Sequence, residues 1–314
     1  PEGFNVTANT RVVGPDYSHL LTAEWLHPYR ANRIEERLTE TANHTVADSC
    51  DVQLDVQSTL APQFLPLALQ HVPRQSWRHA TDLAIRNRLE LWQYEMNSDS
   101  VAATVFYGWL VNFSKSVLYQ AVGDEISDLL LADHYIDGVP EHPFHRLLFE
   151  VALRWLNGGA PEWAGDVQAQ LLPTFQQTID QLVDITPDWW RWTWGRFHQL
   201  TVAHHLAKIP WLGELWQPRS FARPGTQFTV NQAGTTPHFP PKPVSMIASC
   251  RMVLDVGAWD NSMSSLPGGQ SAHLMSNHYL DAVDEWAGGE YHPMLFSREK
   301  VEGAANGRLL LLPR

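Results

Sequence analysis

Two kinds of side chain near the start of the chain have the chemistry to act on a polar bond. Asn9 carries a neutral carboxamide with two N–H donors, suited to stabilising an oxyanion as it develops. The local alternative is a turn, since asparagine after an extended run most often satisfies one. Arg30, Arg33 and Arg37 follow at i, i+3 and i+7, and so share one face of a helix. Arginine near a helix N-terminus opposes the helix dipole, so Arg30 and Arg33 call for another explanation. The ordinary alternative is a solvated face in which Arg33 pairs with Glu36. Elsewhere Asp133, His134, Asp137, Glu141, His142 and His145 crowd one stretch, without H-E-x-x-H or comparable ligand spacing. They read as a polar loop between helices. Ser271 follows Gly269-Gln270 but lacks the G-x-S-x-G elbow, so it is not read as a nucleophile.

The elements that must position Asn9 are legible around it. Phe4, Val6 and Ala8 alternate with Asn5, Thr7 and Asn9, which predicts a strand with one apolar face. Gly14-Pro15-Asp16 breaks it. Pro28 suits the first turn of a helix in which Ile34 and Leu38 form an apolar i, i+4 pair. Helical spacing runs from Thr45 to about Val72, broken near Pro62 and Pro66, and an amphipathic stretch spans Ser76 to Met96. Ser98-Asp99-Ser100 is an N-cap cluster for the apolar run Val101 to Leu118. Helices follow near Glu125–Leu131, His145–Leu156 and Asp166–Val183. Trp189 to Trp194 is an aromatic run that could stack a sugar or enter an interface, and more often builds core. His198, His204 and His205 read as hydrogen-bonded packing residues. A Gly- and Pro-rich stretch leads to Pro243, then Ser249–Asp255 predicts a buried strand and Arg308–Leu312 another. The organisation is three segments: 1–27, a helical subdomain 28–194, and a strand-rich part 195–314.

Composition narrows the function classes. With 44% hydrophobic and 18% charged residues over 314 residues, the chain is globular. A net charge of −12 without a basic stripe argues against a nucleic-acid partner. No apolar run is long enough to span a bilayer. Cys50 and Cys250 form at most one bridge and do not decide the redox compartment.

The order Gly3 to Asn9, Arg11-Val12-Val13-Gly14-Pro15-Asp16-Tyr17, then Pro28-Tyr29-Arg30-Ala31-Asn32-Arg33-Ile34 resembles the penicillin amidase family of N-terminal-nucleophile amide hydrolases. The later Arg251 to Asp255, Pro267-Gly268-Gly269-Gln270-Ser271, Tyr279, Trp286 and Gly289-Glu290-Tyr291 continue the likeness. Ala272 stands where the family's turn usually has a glycine, which would be strained if the position needs positive φ.

The resemblance implies an α+β fold, part of an αββα sandwich with a large inserted helical subdomain. It implies amide hydrolysis of N-acyl compounds, with Asn9 as the oxyanion-hole asparagine and Arg33 as the arginine that orients it. It also implies that this segment is the later part of a β-chain made by autoproteolysis of a zymogen. The serine nucleophile, the α-chain and the N-terminal half of the β-chain would be its partners, and a small N-acyl molecule its substrate. Pro1 offers no side-chain nucleophile, and the sequence shows no initiator Met and no signal peptide at Pro1, which suits an internal fragment whose targeting signal is not in this chain. A periplasmic or extracellular enzyme is expected, with no catalytic cofactor. Family members commonly hold a structural Ca2+, whose ligand set this sequence does not place; Asp16 is a candidate. The competing reading is a non-catalytic helical scaffold or binding protein that keeps the family fold.

Overall fold

The structure is a computed structural model that describes residues 3–14, 16–22, 25–77, 80–131, 135–136, 139–140, 143–209 and 219–313. The chain divides into two compact units, residues 1–37 with 55–247, and residues 38–54 with 248–314.

The core of the first unit is built on one helix. Helices α1 (Tyr29–Glu40), α2 (Val46–Gln53), α3 (Ala61–His71) and α4 (Ala80–Leu91) precede it, and α5 spans Val101–Leu131. Ser100 caps α5, its Oγ accepting from Ala103 N at 3.1 Å. Every residue from Ala102 to Ser114 is buried, as expected for a helix apolar on all sides. Gly123 interrupts α5 at φ 78°, so the helices expected at 101–118 and 125–131 meet there. After the short pair β1 (Tyr135–Ile136) and β2 (Val139–Pro140), helices α6 (Pro143–Arg154) and α7 (Leu171–Ile185) pack on α5. The α5–α7 approach is close: a Cβ on Gly108 would lie 2.7 Å from both Phe239 and Thr178. Asn112 Nδ2 donates across the same contact to Thr178 Oγ1 at 2.9 Å and Gln181 Oε1 at 2.8 Å.

Pro66 lies inside α3 instead of breaking it. An interior proline costs about 3 kcal/mol, but Phe64, Leu65 and Ala68 are buried around it. Burying each large apolar side chain contributes roughly 1.5–3 kcal/mol, so packing wins. Trp192 and Trp194 are fully buried and donate to Thr186 O and Gly225 O, so these two of the run's four tryptophans build core, while Trp190 is exposed. Short helix α8 (Trp194–Phe197) leads to β3 (Gln199–Val202), antiparallel to β4 (Arg219–Ala222), and β5 (Ala233–Gly234) pairs with β6 (Met246–Ile247).

The second unit holds α2, the antiparallel sheet β7 (Arg251–Val253), β8 (Met263–Ser265) and β9 (His292–Pro293), and helices α9 (Val283–Gly288) and α10 (Arg298–Ala304). Thr45 and Asp48 close a capping box on α2. Buried Trp286 lies under the Arg251 guanidinium at 4.9 Å and donates to Ala248 O. The strand expected at 249–255 forms only over Arg251–Val253, with Met252 exposed. Leu309 to Leu312 form no strand and are exposed. An apolar run needs a ladder partner to become a strand, and none among the described residues pairs with it. Ala272 does not have positive φ. The residue its turn requires is Gly269, where a Cβ would meet His278 O at 1.9 Å. Cys50 and Cys250 are free thiols.

Mixed helices and small sheets make this an α+β fold, as the sequence reading expects.

Candidate active site

Residues 3–9 keep the expected alternation without the expected strand. Phe4 and Val6 are half-buried and Ala8 is buried, while Asn5, Thr7 and Asn9 are exposed. Asn9 sits in a bend at φ 63°. That left-handed conformation is one asparagine tolerates because its short polar side chain bonds locally. Its C=O accepts from Leu26 N at 2.9 Å.

The side chain of Asn9 is oriented by Arg30, in the first turn of α1. Arg30 Nη2 donates to Asn9 Oδ1 at 2.7 Å and to Ala8 O at 3.1 Å. A guanidinium carries donors only, so the amide oxygen faces Arg30 and the NH2 group faces away. Asn9 thereby presents two N–H donors whose acceptor is not supplied by any described residue. Burial lowers the pKa of Arg30 from the usual arginine value, and no carboxylate pairs with it among the described residues.

Asn9 and Arg30 line a cavity of about 280 Å³. Leu26, His27 and Tyr29 form one wall, and Gln227, Phe228 and Gln232 of the turn before β5 form another. Gly234 of β5 and Met246 of β6 complete it with Thr235, Pro237 and Ser245. Tyr29 meets Phe228 edge-on at 5.6 Å, and His27 lies 5.9 Å from the same ring. His27 Nδ1 is 2.5 Å from Glu150 Oε2 on α6. Burial first, and the charge of Glu150 second, push the Tyr29 phenol up to about 12. It remains a neutral donor at physiological pH. Local geometry holds the turn in place. Gly225 has φ 78°, where a Cβ would lie 2.3 Å from Asn231 O, and Thr226 and Thr229 bond across the turn.

Arg33, expected to orient Asn9, is bonded elsewhere. Its Nε and Nη2 reach Asp55 Oδ2 at 2.9 and 2.7 Å, and Nη1 reaches Glu36 at 2.9 Å. Burial alone would lower its pKa, but the bonds to Asp55 and Glu36 outweigh that and raise it above the arginine norm. Arg37 Nη1 shares Asp55 Oδ2 at 2.9 Å. The contact to Asn9 thus falls to the arginine one turn earlier. One signal, a cation opposing the helix dipole, marks both, and the local feature that separates them is the i, i+3 pairing of Arg33 with Glu36, which the structure contains. His27, Asp55 and the 227–246 wall carried no sequence signal, since single residues of these types are common everywhere.

His198 is the buried packing histidine expected, stacked 4.3 Å from Trp194 with Nδ1 bonded to Arg223 O at 2.8 Å. His204 accepts from Leu206 N at 3.1 Å. Asp133, His134, Asp137, Glu141 and His142, and the side chains of His145 and His205, lie outside the described residues. Asp16 is exposed, and no group of three or more His, Cys, Asp or Glu that could hold a metal forms among the described residues. The described residues therefore supply no carboxylate cage for calcium. None of their helices is long and apolar enough to cross a membrane.

A family model described as penicillin amidase matches residues 1–303. The chain belongs to the penicillin amidase family. Penicillin acylase 2 proenzyme of a Pseudomonas species is 29% identical over the whole chain, which covers 39% of that protein. Acyl-homoserine lactone acylase QuiP of Pseudomonas aeruginosa is 23% identical over 99% of the chain and 40% of its own length. The chain thus spans about two fifths of the curated relatives it matches. Thermostable penicillin G acylase from Alcaligenes faecalis shares the fold over the whole chain at a TM-score of 0.61 and 16% identity, with 57% of that enzyme covered. The penicillin amidase fold therefore brings Asn9 and Arg30 to one cavity, and Arg33 to Asp55 beside it.

Proposed function

We propose that this chain is the later part of the β-chain of an acylase that hydrolyses the amide bond of N-acyl compounds. The observation that carries the reading is the Arg30–Asn9 bond, which fixes the amide oxygen and leaves two N–H donors beside the cavity. In the complete enzyme a serine at the start of the β-chain attacks the acyl carbonyl, its own α-amino group serving as base through a water. Asn9 then holds the oxygen of the tetrahedral intermediate, where charge develops only after attack. Arg30 keeps the carboxamide from rotating, and Arg33 supports the same helix through Asp55. The α-chain and the preceding half of the β-chain, from one autoprocessed zymogen, are the partners. The alternating residues 4–7, which form no strand among the described residues, and the exposed Leu309 to Leu312 suit pairing with strands from that remainder. By family resemblance the enzyme works in the periplasm or outside the cell. No calcium ligand set is proposed on this chain.

Arg30, a half-buried cation with no acidic partner among the described residues, favours amides that also bear a carboxylate. The apolar surfaces of Tyr29, Phe228 and Met246 favour a hydrophobic portion beside it.

The test uses the complete enzyme and this chain alone, each with phenylacetyl and long-chain acyl anilides. Turnover by the complete enzyme and none by the chain alone is expected. Hydrolysis by the chain alone would overturn the assignment of the nucleophile, and an inert complete enzyme would favour the scaffold reading.

A further inference from the structure

Asp55 has no role in the reading above beyond carrying Arg33, yet its surroundings join both walls of the cavity. Its side chain is only 4% exposed. Oδ2 accepts Arg33 Nε and Nη2 and Arg37 Nη1, while Oδ1 accepts Gln57 N at 2.8 Å. Its own backbone C=O accepts from Asn231 N at 2.8 Å, and the next residue, Gln232, lines the cavity. One residue thus grips the arginine face of α1 with its side chain and the 225–232 turn with its main chain.

We infer that Asp55 is a positioning residue of the Asn9 site, holding Arg33 back so that Arg30 alone addresses the carboxamide. Residues three apart on a helix are neighbours about 5–6 Å apart at Cβ. Arg33 therefore starts one turn from the bond Arg30 makes, on a side chain long enough to compete for Asn9 Oδ1. Asp55 takes two of its donors, Nε and Nη2, on the single oxygen Oδ2, both as charge-assisted bonds. Losing that carboxylate charge loosens the hold on Arg33 Nε and Nη2, with Glu36 still on Nη1, and leaves the charges of Arg33 and Arg37 less compensated on the face beside Arg30. Both effects displace Arg30 from Asn9, and the oxyanion donors with it. Because the same residue holds the 225–232 turn through its main chain, substituting the side chain leaves that second tie in place. This role rests on the reading of Asn9 as an oxyanion donor.

The experiment measures kcat and KM of the complete enzyme for Asp55→Asn alone, with Asn9→Gly, and with Arg33→Gln. Asp55→Asn keeps the shape and the acceptor for Gln57 N but removes the charge. The expected result is a fall in kcat of about tenfold with KM within roughly twofold, the pattern of an interaction made in the transition state. In the Asn9→Gly background the same substitution lowers kcat no further, and adding Arg33→Gln to Asp55→Asn restores part of the loss. An equal fall in both backgrounds would mean that Asp55 only supports the fold. An unchanged kcat in folded Asp55→Asn would remove the role altogether. If Asn9→Gly itself leaves kcat intact, the reading of Asn9 fails first, and that outcome is separate from the other two. Should Asp55→Asn fail to fold, Asp55→Glu retains the charge and displaces it by one methylene. Its smaller loss of kcat must likewise vanish in the Asn9→Gly background, and persistence there would overturn the proposal.

Discussion

The α5 core and the cavity wall lie in one unit and are built on opposite principles. Around α5, Phe64, Trp77, Trp109 and Phe175 pack as edge-on and tilted aromatics, with centroid separations of 4.0 to 6.3 Å. Trp109 Nε1 still finds Leu171 O at 2.9 Å. Around the cavity the chain uses a left-handed asparagine, a glycine-dependent turn and a cation without a described carboxylate partner. Regular helix satisfies its own backbone and leaves side chains to fill space. The cavity wall instead keeps polar groups uncommitted, which costs stability and makes chemistry available. Stability and activity should therefore respond to different residues.

The largest expected effect is in the core. Trp109→Ala should cost about 3–5 kcal/mol of unfolding free energy, as large-to-small aromatic substitutions do. Urea unfolding of the chain, followed by tryptophan fluorescence and circular dichroism, measures it. An unchanged midpoint would break the contrast at its stronger side.

Asn9→Gly comes next and should act on the other axis. Glycine keeps the φ of 63° without strain, so the unfolding midpoint should hardly move. In the complete enzyme kcat should fall about 10²–10³-fold, the usual cost of one oxyanion donor, with a much smaller change in KM. Steady-state kinetics on one anilide substrate suffice. Full activity in a folded Asn9→Gly enzyme would reduce Asn9 to a bend residue.

His198, stacked on core Trp194 and absent from the cavity lining, sharpens the contrast by pH. Burial first lowers its pKa from 6.5 to about 4, with Arg223 adding to the effect against two backbone hydrogen bonds. The folded state thus holds it neutral where the unfolded chain already binds a proton. Its contribution is complete above pH 6.5 and is lost as pH falls through about 4. The shift corresponds to roughly 3 kcal/mol. Urea titrations at several pH values should show this slope, and His198→Gln should flatten it.

The smallest effect is one of selectivity. Arg30→Met should reduce kcat/KM for an acyl amine bearing a carboxylate about tenfold more than for its neutral analogue, which is about 1.4 kcal/mol. Equal losses on both substrates would leave Arg30 as a holder of Asn9 with no part in recognition.

Much of this was readable from local pattern. The cap at Ser100, the break between the two parts of α5 and the buried tryptophans follow from short-range rules, because caps, glycine freedom and apolar periodicity act within a few residues. The alternation of Phe4, Val6 and Ala8 gave the right burial but the wrong element, since a strand needs a partner that sequence does not name. Pro66 misled for the converse reason, because long-range packing outweighed a local penalty.

The sequence by itself determined the family, through the order of weak motifs along the chain, and it marked Asn9 and the arginine face as the place to look. Tertiary structure alone decided which arginine reaches Asn9. Arg30 and Arg33 are the same residue type on one helix face, and Asp55, brought in by the fold beside α1, takes Arg33 together with Glu36 of the same helix and leaves Arg30 to Asn9. It also decided that the 227–246 wall closes the cavity, because a cavity is a relation between distant segments and leaves no periodic trace in any one of them.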